Sequence, residues 1–349
     1  MARRNNNKMT RRTPKMEPVP LTLTFALANP TGAGIPQVGF IDLSQCASIA
    51  SRKFLRQGLN WGFAGMKITG ASSGTFSVYT LPNTWVMSNA WHKSFAAWTR
   101  MNNEALSESD SVRPRFLDFK VYADEDHHTA GFGANLLPMS PGGVASPGEW
   151  EASKIYIPTA STLTPAPGVL DIQDLELIAT GASYPGVGAS GLDAVSLIEG
   201  YAASRGLPNV VDPNAPDDAA DTAGLDPQNW MSAIFNEGET TSHEVIEDMI
   251  TENNIAPYPF ENDGVNVDTM YPGGANQMTG LQWHDNTQIY STSATTNVGI
   301  ARVKGGNAPC GLLKVTWIPT AEVGNQLLIQ IDMIPGTHRG YLAEPMQEM

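Results

Sequence analysis

PVPLTLTFALANP, residues 18–30, puts Leu21, Leu23, Phe25 and Leu27 on one side of the chain and Thr22 and Thr24 on the other. Successive side chains of an extended chain point to opposite faces, so this period of two describes a strand with one face buried. Nine further runs read the same way: VGFIDL (38–43), GFAGMKITG (62–70), TFSVYTL (75–81), RFLDFKVYA (115–123), SKIYIP (153–158), DLELIAT (174–180), NTQIYST (286–292), GLLKVTWIP (311–319) and NQLLIQIDMIP (325–335). The ten strands bracket nearly the whole of a 349-residue chain, and 33 Gly and 25 Pro supply turns between them. Gly tolerates positive φ and Pro fixes φ while withholding a donor, so this composition suits an all-β fold with long connections.

One helix stands out among the early strands, in LPNTWVMSNAWHKSFAAWTRMNNEAL (81–106). Asn83 or Thr84 can cap it, and Trp91, Phe95, Trp98 and Met101 recur along one face, which predicts burial rather than base stacking. Residues 204–262 differ: an Asp- and Pro-rich stretch precedes two short helices, around WMSAIF and SHEVIEDMITENN, and reads as an excursion inserted between strands.

The charge distribution is uneven. MARRNNNKMTRRTPKM, residues 1–16, holds Arg3, Arg4, Lys8, Arg11, Arg12 and Lys15 with no acid, while the whole chain carries −14; the remainder therefore sets 15 basic against 35 acidic groups. Such a segment cannot build a core of its own and attracts phosphates. Full engagement of the six cations on a single strand corresponds to a salt slope of about −4. Arg52, Lys53 and Arg56 form a smaller basic group that either joins the arm's side of the molecule or pairs with carboxylates of the body.

Other chemistry is thinly represented. Two cysteines, Cys46 and Cys310, are too few for a disulfide framework, and no stretch has the length of a membrane span or the apolar core of a signal peptide. GASSG (70–74) has the spelling of a nucleophile elbow but joins two strands, which makes it a hairpin loop. The densest set of metal-ligand residue types is Asp124, Glu125, Asp126, His127 and His128; Asp124, Asp126 and His128 are the candidate ligands of a structural divalent cation such as calcium, against the ordinary reading of a solvated loop. Metalloprotease, zinc-ribbon, P-loop and dinucleotide motifs are absent from the sequence, so no enzyme activity and no organic cofactor is expected.

In wording and order, LPNTWVMSNAWHKSFAAWTR, RFLDFKVYADED, MYPGG and APCGLLKV are similar to capsid proteins of circular, Rep-encoding single-stranded DNA viruses. The resemblance spans roughly residues 60 to 320 and rests on packing and turn segments. It implies a basic arm (1–18) and a shell domain (19–349) folded as a single eight-stranded jelly-roll β-sandwich. It also implies icosahedral self-assembly in about 60 copies or a multiple, with arms turned inward on a genome, single-stranded DNA being favoured. Localisation would be the virion, and the arm's basic cluster also fits a nuclear-entry signal in the host. Family arms are often longer and more basic than this one. Two other classes stay open: a carbohydrate-binding β-sandwich with Trp283 and Tyr290 as its platform, and a β-sandwich hydrolase.

Overall fold

The computed structural model describes residues 18–28, 32–107, 118–159, 171–205, 230–234, 280–290, 298–320 and 326–346. The fold is mainly β, with curled antiparallel sheets forming an all-β sandwich. Its first strands are β1 (Thr22–Leu27), β2 (Gln37–Asp42), β3 (Leu59–Gly70) and β4 (Gly74–Thr80), with helix α1 (Leu43–Ser51) between β2 and β3. Helix α2 (Trp85–Ala105) follows, then helix α3 (Glu125–Ala130) and the short hairpin β5 (Met139–Ser140) and β6 (Gly143–Val144). Next come β7 (Ile155–Thr159), β8 (Asp171–Ile178), β9 (Asp193–Ser196), α4 (Leu197–Arg205) and α5 (Trp230–Ala233). The chain closes with β10 (Gln282–Ile289), β11 (Gly299–Ala308), β12 (Leu312–Pro319), β13 (Leu327–Met333), β14 (Pro335–Gly336), β15 (Gly340–Tyr341) and β16 (Ala343–Pro345).

One sheet of the sandwich has the order β1-β13-β3-β11, with β16 pairing the early part of β3; the other has the order β10-β4-β12-β2. Register explains the core. Phe25, Ile329, Ile68 and Ala301 lie across the first sheet in one inward row, and Leu23, Ile331, Met66 and Val303 in the next. Ile41, Phe76, Val78, Val315 and Trp317 meet them from the second sheet in one buried cluster. Each fully buried large side chain contributes about 1.5–3 kcal/mol. Alternation read from residues 21–27 therefore has the inward partners it requires.

β4 and β10 are neighbours in the second sheet although about two hundred residues separate them in sequence. The intervening chain builds a second layer. In it, β7 and β8 are antiparallel and β8 and β9 parallel, and this small sheet packs with α2, α4 and α5 in a separate cluster around Ile157, Leu177, Trp230 and Tyr201. Trp91, Phe95 and Trp98 of α2 cluster with Phe119 here, with ring centroids 5.1 Å apart for Trp91–Phe95 and 5.4 Å for Trp98–Phe119. Thr84, not Asn83, caps α2 by accepting the Met87 N–H.

Three expectations are corrected. RFLDFKVYA does not form a strand over residues 118–123: the Lys120 and Val121 amides donate to the side chains of Ser153 and Gln57, leaving one parallel bridge from Tyr122 to Ile178. Helix α2 is not the sole early helix, because Asp42 starts α1 by accepting from the Ser44 and Gln45 amides. Residues 124–128 are not a solvated loop, since they form the cap and body of α3, with Asp124 accepting from the His127 amide. Of the excursion at 204–262, residues 206–229 and 235–262 lie outside the described residues; α5 occupies the expected WMSAIF position.

Candidate nucleic-acid interface

The six arm residues Arg3, Arg4, Lys8, Arg11, Arg12 and Lys15 lie outside the described residues. The arm's root is defined, however: Val19 and Leu21 pack on the sandwich core, and the Tyr341 hydroxyl donates to the Pro20 carbonyl at 3.0 Å. Tyr341 belongs to β15, whose turn carries Arg339, and the Arg339 guanidinium donates to the Phe54 carbonyl at 2.7 Å. Lys53 reciprocates, donating to the Arg339 carbonyl at 3.4 Å. The turn after α1 that carries Lys53 and Phe54 thus meets Arg339 close to the root of the arm. Arg52, Arg56 and Arg339 are exposed, and Arg52, at the C-terminal cap of α1, and Arg339, in the β14–β15 turn, both adopt positive φ (54° and 53°). Sequence alone does not single out Arg339, which is 285 residues from its partner Phe54.

The candidate metal residues do not form one set. Asp124 and Asp126 both approach Lys314 of β12, at 2.7 and 2.5 Å. The Lys314 ammonium is partly desolvated, which favours its neutral form, but hydrogen bonds to Asp124 and Asp126 outweigh this and its pKa is raised. His128 faces away into the second layer, with Nε2 at 3.1 Å from Glu176, both side chains buried and the pair lacking hydrogen-bond geometry. Gly188 leaves space for that imidazole, since a Cβ there would lie 2.5 Å from His128 Nε2. Among the described residues no group of three His, Cys, Asp or Glu side chains is arranged to hold a metal ion. The acids expected to bind a cation instead meet a lysine of the chain itself.

His127 anchors a buried polar seam between the sandwich and the second layer. Its ring stacks on Phe40 at 4.4 Å, Nδ1 accepts from the Ala123 amide at 3.1 Å, and Nε2 meets Asn135 Oδ1 at 2.8 Å. Asn135 donates onward to Gln45, and Gln45 to the Pro147 carbonyl, so Nε2 carries the proton of a neutral imidazole. Desolvation pushes the His127 pKa down to about 3. At the other end, Asp42 accepts from Gln57 and from the Trp150 indole, each at 3.0 Å, besides capping α1. Burial pushes its pKa up to about 6 despite those four donors. Adjacent Tyr122 is raised too, by burial and then by the charge of Glu176. His127, Asn135, Gln45, Gln57 and Asp42 are all buried, and the seam joins the two layers.

The nucleophile-elbow spelling has the context of a hairpin. GASSG is the tight β3–β4 connection, and no helix follows Ser72, which is itself buried. Cys46 and Cys310 are free thiols, buried, with pKa values raised by desolvation, which makes them poor nucleophiles. Among the described residues no helix is long and apolar enough to cross a membrane. Trp283 and Tyr290, the expected sugar platform, are indeed exposed, at 52% and 65%. No protein-family model, curated protein or solved structure matches the chain.

Proposed function

We propose that this chain is the coat protein of a small virus: a jelly-roll shell subunit that assembles into a closed icosahedral particle and holds a single-stranded genome, DNA being favoured, through its basic N-terminal arm. The observation that carries the proposal is the winding of the two main sheets. Numbering the eight sandwich strands by chain order, one sheet reads first, eighth, third, sixth, and the other fifth, fourth, seventh, second. A ribbon of paired strands wrapped around a barrel gives this alternation, and the double-sheet jelly roll recurs in shell-forming and lectin domains. The acid-free arm immediately before the first strand favours the shell over the lectin, because a sugar site has no use for six clustered cations. The long β4–β10 connection, built as a second layer, would supply surfaces for neighbouring copies, and closed symmetry would make those contacts repeat.

Sedimentation velocity on the purified protein, with and without single-stranded DNA and across salt and pH, tests this reading. A single fast boundary of many copies is the expected result. Monomers under every condition would refute it and turn attention to glycan screens at Trp283 and Tyr290.

A further inference from the structure

The outer face of the β1-β13-β3-β11 sheet carries a second set of cations. Register lines up Thr22, Asp332, Gly65 and Lys304 in one outward row and Thr24, Gln330, Lys67 and Arg302 in the next. These two rows therefore hold three cations and one acid, Asp332, which is engaged by the Thr22 hydroxyl at 2.8 Å; Asp285 of β10 approaches Lys304 from the corner. In a body with 35 acidic groups that local excess runs against the composition. Lys67 and Arg302 stand directly opposite each other and enter no ion pair among the described residues. Like charges at facing positions destabilise a sheet unless an anion lies over them.

An exposed aromatic completes the row. Lys304 Nζ lies 6.0 Å from the centroid of the Trp283 ring and 4.0 Å from Asp285, at the corner where the two main sheets meet. Trp283 is 52% exposed, so an indole face stays open beside the cations. Cations that track a backbone plus an aromatic platform for a base describe a single-stranded nucleic-acid path. Thr22, the first residue of β1, heads the row that ends at Lys304, so the path begins where the arm joins the sheet. On the other main sheet, outward Phe40 and Lys314 are met by His127 and Asp124 of the α3 segment.

We infer that Lys67, Arg302, Lys304 and Trp283 form a surface that binds single-stranded nucleic acid, continuing the arm's path across the open sheet face. The inference rests on the coat-protein reading for its ligand and extends it from the arm to the folded domain. Phosphates would bridge Lys67 and Arg302, relieving their repulsion, and one base would stack on Trp283. An acidic polypeptide would also meet the cations but would gain nothing from the indole.

Fluorescence anisotropy of full-length protein with labelled oligothymidylate of about 30 nucleotides, across a salt series, decides the matter. Replacing the three cations (Lys67→Gln, Arg302→Gln, Lys304→Gln) should reduce the magnitude of the salt slope by about 2, at about 0.7 for each phosphate that is no longer neutralised. Trp283→Ala should weaken binding on the order of tenfold with the slope unchanged. All four side chains point to solvent or are partly exposed, and circular dichroism checks that the variants fold; single substitutions replace the triple if it does not. Unchanged slope and affinity in both variants, with the wild type binding, would overturn this inference and leave the arm reading standing. Polyglutamate competing as well as oligothymidylate, with Trp283→Ala silent, would overturn it in favour of an acidic polypeptide. A wild-type protein that does not bind at all would overturn both.

Discussion

Replacing His127 with Phe should invert the way stability responds to mild acid. Folded His127 stays neutral down to about pH 3, whereas an unfolded histidine takes a proton near pH 6.5. Below pH 6.5 the unfolded chain thus binds the extra proton, and stability falls; between pH 7 and pH 5 the loss is about 2 kcal/mol. Asp42 works the other way. Folded, it keeps its proton up to about pH 6, and unfolded it loses it near 3.8, so acidification over the same interval favours the fold by about 1 kcal/mol. Wild-type protein therefore loses the small difference, while His127→Phe keeps the Asp42 contribution alone and gains about 1 kcal/mol on going from pH 7 to pH 5. Asp42→Asn keeps the His127 contribution alone and loses about 2 kcal/mol. At pH 7 the Phe variant starts lower, by about 2–4 kcal/mol, because the Ala123 amide and Asn135 carbonyl lose their partners while the stack on Phe40 survives. Urea titrations at both pH values, followed by fluorescence of buried Trp61 and Trp317 at fixed protein concentration, supply the comparison. Other titrating groups are common to all three proteins and cancel in the difference. Parallel pH dependence in wild type and both variants would refute the assignment of the seam as a neutral imidazole linked to a buried carboxyl.

Two further outcomes test the joints of the fold. Gly58→Ala would place a Cβ 2.1 Å from the Trp91 ring at a backbone φ of +91°, and should cost about 2–4 kcal/mol, read as a lowered melting temperature; an unchanged melting temperature would contradict the packing of α2 on the start of β3. Lys314→Met should cost about 1–3 kcal/mol at neutral pH, nearly all through the largely buried Asp124 because Asp126 is 68% exposed, and equal denaturation midpoints for variant and wild type would show that the pairing is not formed.

The strands legible in the sequence are those whose outward residues are polar and whose inward ones are large, such as Leu23, Phe25 and Leu27 in β1 or Leu327, Ile329 and Ile331 in β13. β11 is not legible in this way because its inward positions are small, Ala301 and Val303, and Gly305 and Gly306 interrupt the alternation. Those glycines are needed where backbones crowd: a Cβ on Gly305 would lie 2.4 Å from the Ala64 carbonyl oxygen. RFLDFKVYA alternates like a strand, but Gln57 and Ser153 satisfy its amides in place of a neighbouring strand, and no local pattern announces a side chain 64 residues away. The α3 helix does carry a signal, Asp124 placed to accept the amide three residues on, which the cluster of ligand-like residue types obscures. Basic groups follow the same rule. Arg52, Lys53 and Arg56 are visible as neighbours in sequence, as are Arg302 and Lys304, whereas Lys67 joins Arg302 only through strand pairing and Arg339 meets Phe54 only in the fold.

Electron microscopy of the full-length protein beside a version lacking residues 1–16, with nuclease-protected nucleic acid quantified in each, tests the coat-protein account most directly. Uniform closed particles from both, with protected nucleic acid greatly reduced when the arm is missing, are the predicted result. Dispersed subunits from both, across salt, pH and calcium, would contradict it.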